Sequence, residues 1–198
     1  LPIKPKEFSA LARRLRTPEA VQKFVRTFEY NDEPDGPELK SALSTLKKKR
    51  MHCLEAALLA AAILEQQGYP PLILSLESVD HTDHVLYLYR KQGKWGTIGY
   101  SKFEGLFGRK AVYRSIRDLV WSYFDVYICE TGKITAYQII NLDESKVDWR
   151  FSKKSVWKLE KFLIDYPHRP LRSSKQRVRK QRAKFMDGTQ KEFHRLWL

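Results

Sequence analysis

Apolar residues recur along this chain at two periods, and the changeover between them sets the order of elements. Val21, Phe24, Val25 and Phe28 follow helical spacing behind Thr17-Pro18-Glu19, a capping residue, a proline at the first helical position and an early acid. Residues 31–37 are dense in Asn, Asp, Pro and Gly, a loop composition, and Leu39, Ala42, Leu43 and Leu46 then mark a second short helix. The stretch CLEAALLAAAILEQQ, residues 53–67, consists of strong helix formers and is apolar on nearly every face, so it predicts a helix surrounded by other elements and ended by Gly68. Its apolar run is far shorter than the roughly 20 residues of a membrane-spanning helix. The period then changes. Residues 72–76, just after Pro70-Pro71, and residues 85–89 are apolar, β-branched or aromatic and predict strands, and Lys91-Gln92-Gly93-Lys94 is a hairpin turn into a third strand over 95–100.

Further along, the spacing predicts a helix over 115–124, a strand over 134–140 and a helix over 155–163 whose Val156, Leu159, Phe162 and Leu163 share one face. Pro167 and Pro170 close the folded part. After Leu171 the stretch RSSKQRVRKQRAK has few apolar positions and reads as a basic tail or a solvated basic helix. The expected organisation is a single α+β domain over residues 1–170 with a basic C-terminal tail over 171–198, and there is no internal repeat.

Composition narrows this picture. With 42% hydrophobic and 30% charged residues, the chain lies away from the disordered corner of composition space. The formal net charge of +14 is unevenly placed, with one run at Lys47-Lys48-Lys49-Arg50 and another over 172–184. Such runs suit nucleic acid or another polyanion, bound here through the tail, or are simply solvated surface. Cys53 and Cys129 stand far apart in unlike contexts, so they predict reduced thiols and a cytoplasmic setting rather than a disulfide framework. No nucleotide-binding loop or cofactor motif is present, so no cofactor is expected.

Candidate chemistry centres on Cys53. A helix N-terminus presents unpaired amide N–H groups and partial positive charge, which stabilise a thiolate and donate to an oxyanion on an attacked carbonyl. His84 opens the predicted strand after SVDHTD, a rigid mount for a base. Asp80-His81-x-Asp83-His84 has the residue types of a metal site, but no second cluster completes a tetrahedral set, so no metal is expected. Ser122-Tyr123-Phe124-Asp125 and Trp149-Arg150-Phe151 read as core anchors.

The order RMHCLEAALLAAAILEQQGYPP followed by DHVLYLYRKQGKWGTIGYS resembles the core of the bacterial transglutaminase-like family, over residues 46–101. In that family a cysteine opens a helix, often as C-x-E/D-x-A with a later Gly-x-Pro; Cys53, Glu55, Ala57, Gly68 and Pro70 stand in those places. The family's histidine opens a strand of alternating aromatic and apolar residues before a Gly-x-Trp hairpin, matched by His84, Tyr87, Tyr89, Gly93 and Trp95. The resemblance implies a papain-like core, a buried helix carrying Cys53 packed on an antiparallel sheet, with additional helices toward the C-terminus. It also implies a Cys53 nucleophile and a His84 base acting on a peptide or other amide-containing substrate, as an amidase, protease or acyl transferase. The family's third member, an Asp or Asn, falls at Gly99, which has no side chain. Ser101, two residues on and on the same face of a continuing strand, is the expected orienting group, while Asp83 points to the other face. The alternative is a catalytically weak or inactive module that keeps the fold and binds a polyanionic partner.

Overall fold

The computed structural model describes residues 6–33 and 36–189. Helices α1 (Lys6–Arg14) and α2 (Pro18–Val25) precede the short strand β1 (Glu29–Tyr30), helix α3 (Ala42–Lys48) and strand β2 (Arg50–Met51). Helix α4 (Cys53–Leu64) runs through a 3-10 turn at Glu65–Gln67 into strands β3 (Leu72–Ser78), β4 (His84–Lys91) and β5 (Lys94–Ile98). A 3-10 turn at Glu104–Leu106 leads to α5 (Ile116–Tyr127) and β6 (Ile134–Asn141), and another at Leu142–Ser145 precedes α6 (Trp157–Asp165), β7 (Arg169–Pro170) and α7 (Lys175–Met186).

Hydroxyl caps start most of these helices. Thr17, Ser41, Ser115 and Ser174 each accept a hydrogen bond from the backbone N–H three residues on, which satisfies one of the orphan donors of the first turn. Helix α4 starts differently: the Glu55 carboxylate reaches back to accept from the His52 N–H at 3.0 Å. At its far end Gly68 takes a left-handed conformation, φ +85°, that closes the turn.

The sheet is antiparallel, in the order β5-β4-β3-β6-β7, and β1 pairs in parallel with β2. Gln92 and Gly93 both have positive φ, as the tight turn between Lys91 and its partner Lys94 requires. Alternation sorts the side chains between two layers. Ile73, Val85, Tyr87 and Tyr89 pack with α4, whereas Leu74, Leu76, Leu86 and Leu88 pack with Leu119, Val120, Tyr123 and Phe124 of α5. Coverage of both faces explains why β4 is buried at nearly every position rather than every second one. The architecture is thus α+β, a five-stranded sheet between helices.

One expectation changes and another is narrowed. Strand β5 stops at Ile98 instead of reaching residue 100, because the Gly99 N–H and C=O both turn to the Gln22 carboxamide, at 3.0 and 2.9 Å. Of the two readings of the basic segment, tail or solvated basic helix, it is helical over α7, and this helix lies on α5. There Arg177 forks onto Asp125 at 2.8 and 2.9 Å and stacks over Trp121, and Val178 packs against the α5 cluster. Residues 190–198 of that segment lie outside the described residues. Among the described residues, no helix is long and apolar enough to cross a membrane.

Candidate active site

Cys53 is the first residue of α4, and the twelve-residue helix behind it is buried except at the cysteine itself. Burial on every side fixes the axis, and a buried ion pair fixes the start: Glu55 accepts from Lys40 Nζ at 2.7 Å and from the Lys40 N–H at 2.8 Å, both side chains being almost wholly inaccessible. Removing one partner of such a pair leaves a buried charge unmatched, at about 3–5 kcal/mol. The acid in the C-x-E position therefore anchors the helix end that presents the thiol.

Two imidazoles flank Cys53. Burial opposes ionisation of the thiol, but hydrogen bonds with His52 and His84, and the charges those rings carry when protonated, outweigh it and hold its pKa at about 5, well below that of an ordinary thiol. The amides of the first helical turn act in the same direction. His52 moves the other way: burial disfavours its cation, yet its bond to Cys53 and the nearby thiolate and Glu55 raise its pKa. The arrangement favours the thiolate form of Cys53.

His84 is the first residue of β4, at the end of the sheet, on the face shared by Leu86 and Leu88. Its Nε2 lies 2.8 Å from the Leu106 carbonyl oxygen. A carbonyl only accepts, so Nε2 carries a proton and Nδ1 is left to the thiol. The group that orients the imidazole is thus a main-chain carbonyl.

The segment that supplies this carbonyl is held from behind by a buried cation. Arg109, fully inaccessible, donates to the carbonyls of Phe107 at 2.8 Å and Gly105 at 2.6 Å, and its guanidinium lies 4.0 Å from the Tyr123 ring centre. No carboxylate pairs with it among the described residues. Tyr123 donates a further bond to the Phe107 carbonyl at 3.0 Å. The carbonyls on either side of Leu106 face Arg109, and the one between them faces His84.

The expected orienting role of Ser101 is corrected by this geometry. Ser101 lines the cleft, but it follows the end of β5, so strand parity does not aim it at His84; its hydroxyl accepts from the Phe103 N–H at 3.1 Å. Gly99 has no room for the family's carboxylate, since a Cβ there would lie 2.2 Å from Leu86 Cδ2. The Asp80 and Asp83 carboxylates are engaged away from the imidazole, Asp80 by Ser78, Thr82 and Thr131 and Asp83 by the Ser78 N–H. Among the described residues, no group of three His, Cys, Asp or Glu gathers around a common point.

Cys53 and His84 open into a cleft of about 380 Å³, lined largely by apolar side chains that include Phe103, Val126, Ile128 and, from α7, Phe185. Tyr30, brought next to the cysteine by the pairing of Tyr30 with Met51, also borders it, and burial and then the nearby thiolate push its pKa up to about 12. Cys129 lies in the same cleft, so the two thiols, remote in sequence, share one cavity.

Sequence reading overlooked His52, Leu106, Arg109 and Tyr30. His52 alone left a visible signal, an imidazole at the capping position directly before the thiol. In comparison with known proteins, no family model matches this chain and no curated protein matches it.

Proposed function

We propose that the chain is a thiol-dependent amide hydrolase or acyl transferase of the transglutaminase-like, papain-like class. The observation that carries this reading is that Cys53, at the α4 N-terminus with its thiol pKa held at about 5, shares one cleft with His84, whose far nitrogen is fixed by the Leu106 carbonyl. Cys53 Sγ adds to the carbonyl carbon of an amide, forming an S–C bond, while the oxyanion is stabilised by first-turn amides of α4. The His84 imidazolium passes its proton to the nitrogen of the leaving amine as the C–N bond breaks. His84 then takes a proton from water, or from an amine, whose oxygen or nitrogen attacks the thioester and restores the thiolate.

Iodoacetamide labelling, read separately at the two cysteines across pH, tests this. A low-pKa thiolate is also a weaker nucleophile, so the midpoint of the pH profile discriminates better than the rate at neutrality. Cys53 labelling should rise with a midpoint near 5. At pH 6 an ordinary thiol is only about 0.3% ionised, and after the nucleophilicity penalty Cys53 should label roughly tenfold faster than one. His84→Ala should move the midpoint toward about 8.5. A Cys53 that labels only on unfolding, or with an ordinary midpoint, overturns the assignment.

A further inference from the structure

Beside the cleft lies a groove of about 480 Å³ between α7 and the start of β6, walled by Lys133, Lys175, Arg179 and Arg182 over the apolar side chains of Val178 and Met186. No carboxylate lines it among the described residues. Lys175, Arg179, Arg182 and Met186 follow 4, 3 and 4 residues apart, so one face of α7 collects them. Like charges at that spacing repel, and Lys133, Lys175 and Arg179 have no acidic partner among the described residues to offset the repulsion. The groove is set to receive negative charge.

It shares a wall with the catalytic cleft. Arg182 Nε donates to the carbonyl of Cys129 at 3.1 Å, and Cys129 lines the cleft; Phe185, three residues further along α7, lines it too. One edge of the last turn of α7 therefore separates the thiol's cavity from the cationic groove. We infer that this groove holds an acidic segment of a peptide substrate whose neighbouring residue presents its amide carbonyl to Cys53. The inference rests on the thiol-hydrolase reading. A chain that occupies both depressions must carry an amide and negative charge within a short span. A helix of twelve residues is about 18 Å long, which an extended peptide covers in about five residues. The apolar side chains of Val178 and Met186 among these cations suit the methylene stems of glutamates.

Electrophilic peptides test this without knowledge of the natural substrate. Chloroacetyl-capped peptides with one Phe next to the electrophile and four Glu beyond it, placed in either chain direction, are compared with Gln counterparts for alkylation of Cys53, with iodoacetamide measured on each protein as the size-independent reference. In at least one direction the Glu peptide should label roughly tenfold more efficiently than its Gln counterpart at low salt. That advantage should fall to within about twofold at high ionic strength, since exposed charges are screened over a few ångströms there. It should fall equally in Lys175→Glu/Arg179→Glu, two exposed positions whose change leaves the core untouched. Equal labelling by Glu and Gln peptides in both directions, with iodoacetamide reacting normally, overturns this inference and leaves the thiol reading standing. Preferential binding of an RNA oligonucleotide to the groove, with no Glu advantage, overturns it in favour of a nucleic-acid partner. Failure of iodoacetamide itself removes the thiol reading and this inference together.

Discussion

Two segments border the thiol's cleft and are held in opposite ways. The turn from Ser78 to Asp83 is fastened mostly by its own side chains: Asp80 accepts from the Ser78 and Thr82 hydroxyls at 2.5 and 2.6 Å, and Asp83 accepts from the Ser78 N–H at 2.8 Å. The segment from Gly99 to Arg109 is held by buried groups, Gln22 from far along the chain at one end and, at the other, its own Arg109 guanidinium folded back on the Gly105 and Phe107 carbonyls and backed by Tyr123. The first delivers His84 and the second delivers the carbonyl that orients it. A locally fastened turn tolerates the loss of one bond, whereas a segment held by one buried cation fails when that cation goes.

The largest effect should therefore come from Arg109→Met. It removes the guanidinium donor from the buried Gly105 carbonyl, at about 1–3 kcal/mol, while the Phe107 carbonyl keeps its bond from Tyr123, so urea denaturation should show a loss of roughly 2 kcal/mol or more. The Cys53 labelling midpoint should also move upward, because a loosened Leu106 carbonyl no longer fixes the His84 tautomer. Loss of stability with an unmoved midpoint would show that Arg109 supports the fold and not the imidazole.

Gly99→Asp comes next. It restores the carboxylate expected from the family pattern, yet its Cβ would press on Leu86 Cδ2, and overpacking of this kind costs about 1–3 kcal/mol. Thermal unfolding should shift down and Cys53 reactivity should not improve. A variant as stable as the parent, with a lower thiol midpoint, would show that the site still accepts a side-chain acid.

Asp80→Asn should be the mildest, a loss of about 1 kcal/mol or less, because neighbouring bonds keep the turn. Hydrogen bonds from Ser78, Thr82 and Thr131 hold the Asp80 pKa below the usual carboxylate range. A depressed folded pKa contributes stability that is complete above about pH 4 and is lost as pH falls further. The gap between parent and variant should accordingly close in strong acid. A gap that does not narrow at all between about pH 5 and pH 2 would mean that the carboxylate charge has no part in it.

The same contrast separates what was legible from what was not. The hairpin at Gln92-Gly93, the cap at Thr17 and the Cys53 helix start all act within a few residues, so local propensity reveals them. Their bounds moved by only a few residues in the folded chain. Arg109 reads in sequence as one more surface cation in a chain of net charge +14, and only its burial against Tyr123 marks it out. Ser101 was expected on a strand that ends earlier, and the reason for that ending, Gln22, lies 77 residues away from Gly99.

By itself the sequence determined the periods, and with them a buried helix opened by a thiol and followed by strands of which one begins with a histidine. Those features depend on side-chain type and spacing, which are written in the chain. Tertiary structure decided what orients His84, because a main-chain carbonyl has no residue signature and is selected only by where a segment is pinned. It also decided that a basic stretch with no buried residue becomes a wall of the cleft, because that outcome depends on Asp125, Trp121 and the Cys129 carbonyl meeting Arg177 and Arg182 across more than 50 residues of chain.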